Sequence, residues 1–292
     1  MEKKRQKQSV GRIEKIEIRY LGLPEDVTLV MNKGISTPYN CAQHLSEGHC
    51  KRSALALLDG NLIWDMHRPL EDSCTLQLLN FTIAEPHAVN RVFWRTCSFM
   101  LGSALNNAFK DEAGLELHSF PSPNVKSGSF VHDVVLSVKG WQPNEKEMRA
   151  FSTEMVKLAL RDVKIERLDV NLELALEIFN DNRFKKEHLP NIASNNNGKI
   201  TLYRVGNHID ISKGPMVGST GFLGKCTISS AHQIGDDGEN RGIYRFQGVA
   251  LPTGIKLNHF AFDILVKRSR KLNPARLPTE PYEDSSLNRL LA

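Results

Sequence analysis

The side chains able to do chemistry are scattered through this chain. Five cysteines, Cys41, Cys50, Cys74, Cys97 and Cys226, form no C-x-x-C pair. An odd count at wide spacing suits reduced, partly buried thiols better than a disulfide framework or a zinc knuckle. His44, His49, His118, His132, His208 and His232 also stand apart. Packing is their first reading, and a rebuilt site using His132 and His208 is the lesser one. Cys97 has no base identifiable beside it, and a thiol without one is a poor nucleophile, so it too is expected to pack. There is no P-loop, and no G-x-G-x-x-G stands between a strand and a helix. The expectation is therefore no cofactor and no metal.

At 292 residues the chain has room for one to three domains, and its 40% hydrophobic and 24% charged content is ordinary for a globular protein. No apolar run approaches the roughly 18 residues of a spanning helix. The formal net charge of +5 is mild and uneven. Lys3, Lys4, Arg5 and Lys7 crowd the start, and Lys267, Arg268, Arg270, Lys271 and Arg276 crowd a short later stretch. Such runs are solvated tails or phosphate-binding arms.

The elements that must position these groups fall into two units. After a basic arm (1–14), residues 15–82 hold short strands around one helix. Val27 to Met31 is a β-prone run. Thr37-Pro38 reads as a helix N-cap with proline in the first turn, and Gly48 as the stop. Ala54 to Leu58 and Leu62 to Trp64 flank Asp59-Gly60, a hairpin signal, and Cys74 to Phe81 closes the pattern. Short strands around one helix suggest a ubiquitin-like β-grasp module. Residues 83–265 read as a larger α+β unit. Its long helix, Val89 to Phe109, repeats apolar residues at three- and four-residue steps. A strand at Phe130 to Val138, helices at Glu145 to Leu160 and Leu172 to Phe179, and a hairpin at 200–211 follow. Residues 266–292 read as a basic, then irregular tail.

Several segments in order resemble threonyl-tRNA synthetase. Ser36-Thr37-Pro38, Asp59-Gly60, Trp64-Asp65-Met66 and Arg68-Pro69-Leu70 are similar to its TGS domain. Phe93-Trp94, Met100 to Leu105, Gly128 to Asp133, Glu173 to Phe179, Asp210 to Met216, Ser219-Thr220-Gly221 and Arg245 to Val249 resemble its editing domain and the segment after it. The resemblance implies an α+β fold, a TGS module followed by an editing-like domain.

That family's editing pocket draws on H-x-x-x-H from the long helix and C-x-x-x-H from the pocket loop. Residues four apart on a helix share a face, so such groups converge on a metal or a water. By the resemblance these positions are Arg95, Phe99, Ser212 and Met216. Arginine stays protonated at ordinary pH and binds no cation. Phenylalanine has no donor or acceptor, serine is a poor metal ligand beside a thiolate, and methionine mainly fills space. Losing one general base alone costs roughly 10²–10⁴-fold in rate, so the resemblance implies a catalytically degenerate pocket. The aminoacylation core would follow Lys271, where few residues remain.

Met31-Asn32-Lys33, Ile35 to Tyr39, His44 to Glu47, Ala108 to Glu112 and Arg245 to Val249 further resemble a mitochondrial ribosomal-protein family related to that synthetase. This implies a non-catalytic subunit of the mitochondrial large ribosomal subunit, in the matrix; the first residues are too short and too polar for an import leader, so any leader would lie ahead of Met1. Its partners would be large-subunit ribosomal RNA and neighbouring ribosomal proteins, with no membrane span and no small-molecule substrate. The candidate RNA contacts are Lys3, Lys4, Arg5, Lys7, Lys267, Arg268, Arg270 and Lys271. The rivals are a free-standing editing hydrolase with a rearranged pocket and an off-ribosome, TGS-type RNA-binding regulator.

Overall fold

Ile16, Ile18 and Tyr20 alternate with Lys15, Glu17 and Arg19, and this period of two buries one side of strand β1 (Lys15–Tyr20). The computed structural model describes residues 13–23, 25–138, 140–239 and 241–278. β1 pairs antiparallel with β2 (Val27–Asn32) and parallel with β5 (Cys74–Leu79). β3 (Leu55–Leu58) and β4 (Leu62–Trp64) complete the order β2-β1-β5-β3-β4. Asp59 and Gly60, both at positive φ, turn the chain between β3 and β4. Helix α1 (Pro38–Leu45) buries Cys41 and Ala42 against Ile18, Ala56 and Leu76. Thr37 and Asn40 cap it reciprocally, Asn40 Oδ1 accepting from Thr37 N at 3.0 Å. The helix ends before Gly48. Ser46, in extended backbone, closes α1 and caps α2 (Glu47–Arg52) through its hydroxyl.

The larger unit is organised by α3 (His87–Ala108), buried on most sides because Val92, Phe93, Cys97, Phe99, Met100, Leu101 and Leu105 exceed one stripe. Against it lies a four-stranded antiparallel sheet, β11-β12-β7-β6, made from β6 (Glu116–Ser119), β7 (Phe130–Leu136), β11 (Leu223–Asp236) and β12 (Gly242–Pro252). α4 (Glu145–Leu160) covers it, starting on an Asn144–Glu147 capping box. A second sheet, β10-β9-β8, comprises β8 (Glu166–Asn171), β9 (Lys199–Val205) and β10 (His208–Ile211). α5 (Leu172–Ile178) and α6 (Arg183–Ser194) back it around Val170, Ala175, Leu189 and Leu202. The architecture is α+β. The two units also share apolar packing, since Ala54 and Leu55 belong to the cluster built on α3.

The stretch expected to begin a tail is ordered instead. Asn258 caps helix α7 (His259–Ser269), which lays Phe262 and Val266 on Val249 of β12. Beyond it, Arg245 of β12 forks onto Asp133 of β7 with two bonds of 2.8 Å and donates to the carbonyls of Asn273, at 2.8 Å, and Ala275. That buried guanidinium ties residues 273–275 to the sheet. No helix among the described residues is long and apolar enough to cross a membrane.

Candidate functional site

Helix α3 and the loop after β10 bring Arg95, Phe99, Ser212 and Met216 into one region. Arg95, one turn before Phe99, donates Nη1–H to the carbonyl of Pro215 at 3.2 Å. Burial pulls its guanidinium below the ordinary value, but an arginine starts too high for that to yield a base near neutrality. Phe99 is fully buried, its ring centre 5.1 Å from the His208 ring and 6.4 Å from that of Tyr203. Ser212 spends its hydroxyl accepting from Gly214 N at 3.3 Å, while its own N–H donates to Thr201 O. The Met216 side chain is buried. Gly214, at φ +68°, is required here, because a Cβ would stand 2.0 Å from the Tyr203 hydroxyl.

The loop is held from two sides. Val217 N donates to Thr96 Oγ1 of α3 at 3.1 Å. From the small unit comes Asp65, just past β4. Its Oδ1 accepts from Met216 N at 2.8 Å and from the Tyr203 hydroxyl at 2.9 Å, and its Oδ2 accepts from Arg167 at 3.2 Å. Buried beside Asp65, the Tyr203 hydroxyl is pushed far above its ordinary range and keeps its proton. Motif counting named four residues that the structure brings into one region, and it missed Asp65, Tyr203 and Arg167 as a group. Trp64-Asp65-Met66 signalled only a conventional β-grasp segment.

Behind Phe99 lies a polar centre that counting also missed. Lys185 of α6 donates to Asp210 Oδ1 at 2.5 Å, and both side chains are buried. Burial would raise Asp210, but Lys185, His132 and His208 outweigh it and hold the carboxylate below its ordinary value. His132 donates Nδ1–H to Ser98 O at 2.9 Å and so turns a bare Nε2 toward Asp210 Oδ2, 3.9 Å away. Burial depresses His132 to about 3 and His208 to about 4. An imidazole with such a value is a feeble base at neutral pH, and His132 is fully enclosed. The pair does not make a working hydrolytic centre. Cys97 is also sealed, with burial pushing its thiol well above the ordinary value, so it carries no thiolate. Among the described residues no group of three His, Cys, Asp or Glu side chains is placed to hold a metal ion.

The basic residues divide. Lys3, Lys4, Arg5 and Lys7 lie outside the described residues. Lys267 pairs with Asp263 at 3.0 Å on α7, and Arg268 donates to the carbonyl of Lys126 at 2.8 Å. Arg270 and Lys271 end the helix with exposed side chains, while their carbonyls accept from His232 and Gln247.

A TGS domain model matches residues 22–80, which hold the small unit's two helices and every strand of its sheet except β1. The large ribosomal subunit protein mL39 of Drosophila melanogaster is 67% identical over 97% of this chain and 85% of its own length. The chain belongs to the mL39 family. Threonine–tRNA ligases are more distant relatives of this mL39-family chain. The human cytoplasmic enzyme is 29% identical over 79% of the chain, and that of Thermotoga maritima 28% over 86%. The chain spans 30% and 38% of the length of those two ligases.

Proposed function

We propose that this chain is a non-catalytic structural component of the large subunit of the mitochondrial ribosome, acting in the matrix in mitochondrial translation. The observation that carries the reading is the near-full-length match to an mL39 protein at 67% identity. The geometry supports it. Where the related ligases' fold would cradle an ester, Phe99 and Met216 are buried and Arg95 is bound to a backbone carbonyl. Its partners are ribosomal RNA and neighbouring ribosomal proteins. Phosphate contacts position such a protein without reading sequence, and Arg270, Lys271 and the cations at 3–7 are suited to them. Lys267 and Arg268 contribute after exchanging their present partners.

Sedimentation of organelle lysate tests the proposal. The chain is expected to migrate with the large subunit, and a freely soluble pool as the main species would overturn it. Deacylation of mischarged threonine tRNA by the purified chain is expected to be absent. Turnover that disappears on changing His132 or His208 would instead establish an editing enzyme.

A further inference from the structure

Helix α7 has two apolar faces, and the chain covers only one. Phe262 and Val266 pack on Val249. On the other side Phe260 is 74% exposed, Ile264, one turn on, 51%, and Leu257, just before the cap, 41%. Isolated exposed apolar side chains are ordinary, but three adjoining ones on a helix already docked by its opposite face mark a contact surface. The cap and the packed face hold the helix rigid, so ordering it would cost a partner little.

The border of this patch is positive. Lys256 adjoins Leu257 and has no carboxylate within ion-pair reach among the described residues, and Asp263, the one acid on α7, is neutralised by Lys267. We infer that Leu257, Phe260 and Ile264 form a docking surface for a neighbouring protein of the large subunit, one presenting an apolar segment with a carboxylate toward Lys256. RNA phosphates would suit the cations but leave Leu257 and Ile264 against a charged backbone. A second copy would bring two like-charged borders together. The last described residues lie away from the patch. Leu277 packs with Val135, Phe184 and Ile243, and Ile243 lies six residues along β12 from Val249, roughly 20 Å at strand rise. α7 then serves two partners: its apolar first turns face protein, and its basic end at 267–271 faces phosphate.

This rests on the ribosomal reading, and the experiment keeps the two separable. A photoreactive phenylalanine analogue replaces Phe260 in the full chain, expressed in place of the wild type, and large subunits are isolated before irradiation. The expected result is an adduct to another protein, mapped to an apolar stretch carrying Asp or Glu. An adduct to RNA, to a second copy or to residues 279–292 of the same chain overturns the inference, as does no adduct from assembled subunits. Failure of the wild-type chain to co-sediment removes the ribosomal reading itself. Independently, Phe260→Ser with Ile264→Ser should leave the melting temperature of the purified chain unchanged. It should lower retention in salt-washed subunits by about tenfold or more, as loss of an aromatic anchor does. Unchanged retention counts against the surface.

Discussion

Gly102 and His132 show how tightly the interior of α3 is fitted at the level of single residues. A Cβ at Gly102 would stand 2.4 Å from the His132 ring. Gly102→Ala gains up to about 1 kcal/mol of helix propensity but forces the ring to shift, and overpacking of this kind costs about 1–3 kcal/mol. The expected net effect is destabilisation, read as a lower urea midpoint; a higher one would show that the ring yields freely. The buried imidazoles also set a pH dependence. His132 and His208 titrate in the folded chain at about 3 and about 4, below the ordinary 6.5, so between these values the unfolded chain takes up protons that the folded chain refuses. Stability should be fully present above pH 6.5. It should then fall by up to about 1.4 kcal/mol per pH unit for each ring as acid is added. Asp210, held low by Lys185, adds to the loss at still lower pH. Urea unfolding at pH 7, 6 and 5 checks this, and a midpoint that is flat or rises with acid would refute it. In the sequence, motif spacing alone pointed to Arg95, Phe99, Ser212 and Met216, and the structure places them in one region. The bond between Lys185 and Asp210 spans 25 residues and depends on how α6 packs on β10, which no local pattern states.

Elements with a strong period were readable. α3 and α4 follow apolar spacing, and the β3–β4 turn follows Asp59-Gly60. The long β11–β12 hairpin escaped because its register shifts at three places, between Leu223 and Cys226, Ile228 and Ser230, and Gln233 and Gly235, which blurs the alternation. α6 escaped because Pro190 sits inside it and argues locally against a helix. α7 was hidden by its cations, whose number suggested a solvated tail; its order comes from Phe262 and Val266 on β12, a tertiary gain. Arg245 extends that order past the helix. Arg245→Ala should leave a buried carboxylate poorly compensated and cost about 3–5 kcal/mol. Residues 271–278 should become sensitive to protease. Arg245→Lys should recover only part of this, since an ammonium cannot fork onto Asp133 while reaching Asn273 and Ala275. Unchanged protection of 271–278 in Arg245→Ala would show that packing alone holds the segment.

For the molecule as a whole, two units were legible and their coupling was not. The bonds that join them connect Asp65 to Arg167, Tyr203 and Met216, across 102 to 151 residues of sequence. Asp65→Ala strips an acceptor from a buried amide, a buried hydroxyl and a guanidinium together. A loss of about 3–5 kcal/mol is expected, together with non-coincident unfolding of the two units by circular dichroism and tryptophan fluorescence. A single coincident transition at the wild-type midpoint would show that the shared apolar packing of Ala54 and Leu55 is sufficient alone.

Asp65 has one further consequence. The latch on the 212–216 loop belongs to a different unit from the loop, so lifting the loop means parting Met216 from Asp65 as well as Val217 from Thr96 and Pro215 from Arg95. One of those three bonds crosses between the units, so exposure of what lies beneath the loop is coupled to how firmly the small sheet is seated.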